Sequence, residues 1–267
     1  MTGFDAALID LDGTVVHGGS LLAGAGAGVE ALREAGLEVL FLTNNPTRSP
    51  AGWADHLSEL GLPGDADEVL TSAEATVRYL DAHHAGARAL PVAGPAVVEQ
   101  LETADVTFVE DPTAAEVVVA GYHAGFDDEE MTRGLRALLD GATLVGTNRD
   151  RWVPTDAGPI PGSGAVINAV AGAAEVDPEA VLGKPSQETV DLAMDRVGAA
   201  PGDCLLVGDR LDTDIAMGER AGATTALVLT GAATGSDLEQ TDVRPDYVLE
   251  SLAEVERVLD GDAVDGA

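Results

Sequence analysis

Residues able to do chemistry gather in this chain where apolar runs stop. Ala6-Ala7-Leu8-Ile9 leads straight into Asp10-Leu11-Asp12-Gly13-Thr14. In extended chain, residues two apart face the same side, and Gly13 lets the backbone turn away behind them. Two carboxylates therefore crowd the carboxyl end of one strand, where open α/β sheets bind ligands at a switch in strand order. Like charges that close call for a cation or displaced pKa values, and an all-oxygen donor set suits Mg2+. Val39-Leu40-Phe41-Leu42 ends in Thr43-Asn44-Asn45, a hydroxyl and amide donors. Leu205-Leu206-Val207 ends in Gly208-Asp209-Arg210-Leu211-Asp212-Thr213-Asp214, a second set of acids. Gly183-Lys184-Pro185 holds the only lysine of the chain.

These segments need a scaffold. Strand-length apolar runs alternate with amphipathic stretches of helix length, the pattern of a parallel sheet covered on both faces. The runs predict strands over Phe4 to Ile9, Leu37 to Leu42, Cys204 to Val207, Thr225 to Leu229 and Tyr247 to Leu249. Helices are expected over Ala25 to Ala35, Gly52 to Leu60, Gln187 to Val197 and Asp214 to Ala221. Each is followed by a glycine, Gly36, Gly61, Gly198 or Gly222, as a C-terminal cap. A second series lies inside the first: strands over Ala89 to Val92, Val106 to Val109, Val117 to Ala120 and Thr143 to Val145, with helices over Ala96 to Glu102 and Asp128 to Leu139. The expected fold is therefore α/β, a Rossmann-like doubly wound parallel sheet core with an inserted α/β cap domain. The core takes residues 1–81 and 179–259, the cap 82–178, and 260–267 form an acidic tail expected to fray.

In their order along the chain, Asp10-Leu11-Asp12-Gly13-Thr14, Thr43-Asn44, Lys184 and Gly208-Asp209 with Asp214 resemble the four motifs of the haloacid dehalogenase-like phosphohydrolases. The longer wording is narrower. Leu42-Thr43-Asn44-Asn45, Pro161-Gly162-Ser163-Gly164, Leu182-Gly183-Lys184-Pro185 and Gly208 to Ile215 resemble the subfamily of nitrophenylphosphatases, phosphoglycolate and pyridoxal phosphatases and NagD-type sugar and nucleotide phosphatases, over roughly residues 5 to 258. That resemblance also implies a large cap between the second and third motifs.

What it implies is a Mg2+-dependent phosphatase acting on a small phosphorylated metabolite. Asp10 would attack phosphorus to give an aspartyl-phosphate, and Asp12 would act as general acid and then general base. The metal would lie between Asp10, the main-chain carbonyl of Asp12 and Asp209. Thr43, Asn44 and Lys184 would hold the phosphoryl oxygens, with Asp214 behind them acting through a metal-bound water or Lys184. A cap loop would choose the leaving group, which makes Asn148, Asp150, Arg151 and Trp152 candidates. Their plainer reading is an arginine–aspartate surface turn. Val153 disfavours a pyridoxal phosphate specialist. Asp212 fits a site residue or a helix N-terminal acid equally. Arg48 and Arg210 read as anion contacts or as partners of nearby acids, His17 as a residue of a short flap, and Cys204 and Trp53 as packing.

Composition excludes several classes. Against 47 Asp and Glu stand 14 basic residues, a net charge of -33, which repels nucleic acid and anionic lipid. The acids with one lysine resemble proteins of salt-accumulating archaea and predict a halophilic, cytoplasmic protein. One cysteine rules out a disulfide framework or a cysteine zinc site. No run approaches the ~18 apolar residues of a membrane span. A homodimer is allowed, since related caps often pair. Among competing readings, a 2-haloacid dehalogenase needs neither Asp12 nor Asp209. A phosphomutase would keep every motif but release no phosphate, and a receiver-like signalling protein is about half this length without a cap.

Overall fold

The computed structural model describes residues 3–153, 155 and 158–261. The chain forms two compact units, one of Met1–Thr43, Pro50–Leu70 and Thr189–Ala267, the other of Asn44–Ser49 and Thr71–Glu188. The second is wider than the 82–178 read as an insertion, since it also takes in 44–49, the helix Ser72–His83 and the stretch to Glu188. Of the expected acidic tail, 262–267 lie outside the described residues.

The first unit is built on a six-stranded sheet in the order Tyr247–Leu249, Thr224–Val228, Cys204–Gly208, Ala6–Asp10, Glu38–Thr43, Val69–Thr71. The pairings from Tyr247–Leu249 through Glu38–Thr43 are parallel. Residues alternate between two cores. Ala7, Ile9, Val39, Phe41, Leu205 and Val207 pack on one side, and Leu8, Leu40, Leu42 and Leu206 on the other. A continuous apolar run is what a strand buried on both faces requires, and all five residues of Ala6–Asp10 are buried. This strand lies between Glu38–Thr43, which follows it in the chain, and Cys204–Gly208, which comes much later, so the strand order switches at its end.

Three expected helices appear within two residues of their expected ends, as Ala25–Glu34, Pro50–Glu59 and Gln187–Val197. The fourth starts later, at Ala216, because Leu211–Ile215 form a wide π-type turn in which Asp214 is turned back on Arg210. Val16–His17 pairs with Ser20–Leu21 as a short flap, with His17 exposed. Trp53 is buried in the core, and burial pushes the Cys204 thiol up to about 11.

The second unit carries a five-stranded parallel sheet, Ala180–Val181, Thr143–Gly146, Val117–Ala120, Arg88–Val92, Thr107–Phe108. Its helices Asp128–Leu139 and Ser163–Ala174 cover one face through Ala137, Leu138, Val166, Ile167 and Val170. The short pair Trp152–Val153 and Ile160–Pro161 forms a hairpin of its own. Among the described residues no helix is long and apolar enough to cross a membrane.

Candidate active site

In the first unit the acids converge where the strand order switches. Asp10 is the last residue of its strand, in register with Leu42, and Leu11 N–H extends the pairing by donating to the Leu42 carbonyl at 3.2 Å. The chain then turns back at Gly13, φ 96°, where its N–H donates to the Val16 carbonyl. That turn leaves Asp12 half-buried, and the Thr43 hydroxyl donates to Asp12 Oδ2 at 3.3 Å.

From the neighbouring strand end, Asp209 turns its Oδ2 to the N–H of Ala232 at 2.6 Å. Gly13 and Gly231 press on the same carboxylate: a Cβ on either would collide with its Oδ2. Asp214 is fully buried and accepts the Arg210 N–H at 3.0 Å, packed so closely on Gly208 that a side chain there would strike its carboxylate. Asp212 pairs instead with Arg210 at 3.2 Å and is largely exposed, so this acid and this arginine meet each other.

Asp10, Asp209 and Asp214 each bring one carboxylate oxygen within 4.8 Å of the others, and all three are buried. Three carboxylates gathered out of water repel strongly unless a cation shares them. The donor set is all oxygen and hard, which fits Mg2+ rather than zinc or copper. Sequence reading placed Asp214 behind the metal carboxylates. The structure brings its carboxylate into the same group, while the Asp12 side chain is not part of it.

The second unit holds the other candidates. Lys184 is buried, and its main chain is clasped by the Asn44 side chain: Lys184 N–H donates to Oδ1 at 2.7 Å, and Nδ2 donates to the Lys184 carbonyl at 3.2 Å. Asn44 Nδ2 also lies 3.2 Å from Asp150 Oδ1. The Asn44 side chain is therefore engaged with protein atoms rather than presented to a ligand. Asn148, expected to select the leaving group, is 1% exposed and bonded on all sides, which its position in a polar run, Asn148-Arg149-Asp150-Arg151, did not suggest. Arg151 is exposed, and Trp152 is 43% exposed on the hairpin.

Sequence reasoning missed Gly231 and Ala232, which seat Asp209, and Ser72, which meets Asn148; it singled out Pro161-Gly162-Ser163-Gly164 but gave Ser163, a second partner of Asn148, no part. A helix start at Ser72 was signalled by Thr71-Ser72-Ala73-Glu74, which closes a reciprocal capping box.

Comparison with known proteins agrees with this geometry. Residues 7–107 match the model of the haloacid dehalogenase-like hydrolases, and residues 181–255 match a second model of HAD-like hydrolases. The chain is 32% identical over 253 residues to the sugar-phosphatase AraL of Bacillus subtilis, covering 95% of this chain and 92% of that one. It superposes on the p-nitrophenyl phosphatase of Archaeoglobus fulgidus with a TM-score of 0.88 at 35% identity, covering 96% and 99%. It also matches the glycerol phosphate phosphatase Rv1692 of Mycobacterium tuberculosis, solved in complex with magnesium, with a TM-score of 0.87 at 33% identity, covering 97% and 78%. With an acid cluster at the sheet's switch point and likeness over nearly its whole length, this chain belongs to the haloacid dehalogenase-like hydrolases, in their NagD- and nitrophenylphosphatase-like branch.

Proposed function

We propose that the protein hydrolyses small phosphomonoesters in two steps through an aspartyl-phosphate on Asp10, with a catalytic core of 1–81 and 179–259 and a cap of 82–178. The observation that carries this reading is the buried trio Asp10, Asp209 and Asp214, with Asp12 and Thr43 hydrogen-bonded beside it. A carboxylate oxygen of Asp10 attacks phosphorus as the bond to the ester oxygen breaks, and Asp12 gives its proton to that leaving oxygen. Asp12, now a carboxylate, takes a proton from water as the water oxygen attacks phosphorus. The bond from phosphorus to Asp10 then breaks, and inorganic phosphate leaves.

Thr43, Asn44 and Lys184 hold the equatorial phosphoryl oxygens in this reading. The engaged Asn44 side chain leaves its main chain for that part and makes Lys184 the principal cation. Mg2+, held by Asp10, Asp209 and the Asp12 carbonyl with Asp214 alongside, would supply the positive charge that lets carboxylate and phosphate approach. The three relatives act on sugar phosphates, nitrophenyl phosphate and glycerol phosphate by name, which supports a phosphoglycolate, sugar phosphate, nucleotide or nitrophenyl phosphate class of substrate. Asp150, Arg151 and Trp152 are the cap residues proposed to meet the leaving group. The acid composition supports a place in a salt-rich cytoplasm.

The test is phosphate release from a panel of these esters with Mg2+ in molar KCl. Wild-type protein should release phosphate, and Asp10→Asn should not. Near-normal turnover by Asp10→Asn would end the covalent reading, and isomeric products without free phosphate would make the protein a mutase.

A further inference from the structure

Both amide atoms of Asn148 are engaged inside the protein. Its Nδ2 donates to the Asn44 carbonyl at 2.8 Å and to Ser163 Oγ at 2.8 Å, with Ser72 Oγ at 3.3 Å, while its Oδ1 accepts the Asp150 N–H at 3.1 Å. The Ser72 hydroxyl donates to the same Asn44 carbonyl at 3.0 Å. Asn44 is thus gripped at its main chain from two sides, and its side chain grips the main chain of Lys184 in turn.

The packing is as tight as the bonding. Gly183, φ +68°, precedes the lysine, and a Cβ there would come 2.5 Å from Asn44 Oδ1, 2.9 Å from Asn148 Cβ and 3.0 Å from Ser72 Cβ. The Pro161-Gly162-Ser163-Gly164 segment has a part in this too. Gly162 and Gly164 donate to the carbonyls of Arg151 and Asp150 and press on the loop that carries Asn148, while Ser163 meets Asn148 itself.

A side chain that chooses a leaving group must face it. Asn148 is 1% exposed with both amide atoms already engaged, and its links through the Asn44 carbonyl, Ser72 and Asp150 lead to Asn44 and so to Lys184. We propose that Asn148, braced by Ser72 and Ser163, is a positioning residue for Lys184, acting through Asn44. The proposal rests on Lys184 holding the transferring phosphoryl group. Positioning partners that fix a functional group through hydrogen bonds typically matter by about 10–100-fold when removed.

The single lysine gives a direct readout, because full-length protein labelled with [ε-13C]lysine shows one side-chain resonance, that of Lys184. Asn148→Ala should move this resonance toward that of free lysine and lower kcat/KM about 10–100-fold, equally on nitrophenyl phosphate and glycerol phosphate, because the ammonium acts on the phosphoryl group both share. In a Lys184→Met background the same change should cost nothing more, since the two residues act as one unit. Arg149→Ala, an exposed neighbour, should leave both readouts unchanged. Should Asn148→Ala not fold, Ser163→Ala removes one acceptor only, and its resonance shift is read instead.

A folded Asn148→Ala with an unmoved lysine resonance would overturn the proposal. So would a loss falling about tenfold more heavily on one substrate, the mark of a leaving-group contact. Orthovanadate with Mg2+ tests the underlying reading separately: if it leaves the wild-type resonance in place, Lys184 does not hold the phosphoryl group, whatever Asn148 does.

Discussion

Replacing Gly231 by alanine tests whether the seat of Asp209 matters for the metal. Gly231 does not use the left-handed region that excludes other residues, so alanine can adopt its backbone conformation. What it lacks is room. The new Cβ would come 2.7 Å from Asp209 Cβ and nearer still to its carboxylate oxygen. Carbon atoms prefer about 3.5–4.0 Å, so Asp209 or the Thr230–Ala233 loop must give by about 1 Å. Either movement breaks the 2.6 Å bond from Ala232 N–H to Asp209 Oδ2 and pulls one carboxylate out of the buried trio. A misplacement of about 1 Å can cost about a hundredfold in rate, and crowding a packed site costs about 1–3 kcal/mol in stability. The assay is turnover of nitrophenyl phosphate against Mg2+ concentration, with melting measured alongside. Gly231→Ala should need about 10–100-fold more Mg2+ and still fall short at saturation. Gly235→Ala, where an added Cβ meets nothing within 4 Å, should match wild type. A wild-type Mg2+ midpoint and rate in folded Gly231→Ala would refute the reasoning.

Three other perturbations follow from the same chemistry. Lys184→Arg should keep the charge and the fold yet lose most phosphatase activity, because a planar fork does not fit the place of a compact ammonium whose main chain is clamped at both N–H and carbonyl. At Glu179, burial works against the charge, but the Tyr79 hydroxyl at 2.9 Å and the His84 imidazole at 2.8 Å outweigh it and hold the carboxyl below its ordinary 4.5. A depressed acid stabilises the fold above its unfolded pKa and stops doing so as pH falls through the folded one. Glu179→Gln should therefore melt about 1–3 °C lower than wild type at pH 7, as a partly exposed pair worth about 0.2–1 kcal/mol allows, with the gap closing below pH ~4. With a net charge of -33, melting temperature and kcat/KM should both rise from low to molar KCl, where the screening length falls to about 3 Å; flat profiles would dismiss the halophilic reading.

The sheet and its acids were legible because parallel strands buried on both faces leave continuous apolar runs, and each run here stops at a polar residue that the fold uses. Ala6 to Asp10 and Cys204 to Gly208 are the plainest cases. Four helices of the described residues lie outside the expected set, the two longer ones for different reasons. Ser163–Ala174 is small and apolar on every side, so no polar face marks its period. Ser72–His83 is marked by its capping box, with Ala73, Thr76 and Leu80 at helical spacing behind it, signals the sequence reading did not use. The seat of Asp209 was out of reach, because Gly231 earns its identity from a residue 22 positions away that sequence spacing does not bring near.

Asn148 shows a different limit. A run of asparagine, arginine and aspartate reads as a solvated loop, since polar residues are mostly exposed. An asparagine can be buried nonetheless when its oxygen and both amide hydrogens find partners, and those partners come from Asn44, Ser72, Asp150 and Ser163, spread over most of the second unit's length. Such a network resists loss of one member, because each remaining buried group is left unpaired. That asymmetry connects composition to chemistry. A protein that uses arginine at every other basic position keeps one lysine, and the uncharged side chain of Asn44 holds that residue by its main chain. Holding a residue by its main chain fixes where its side chain begins, whatever the ammonium itself meets.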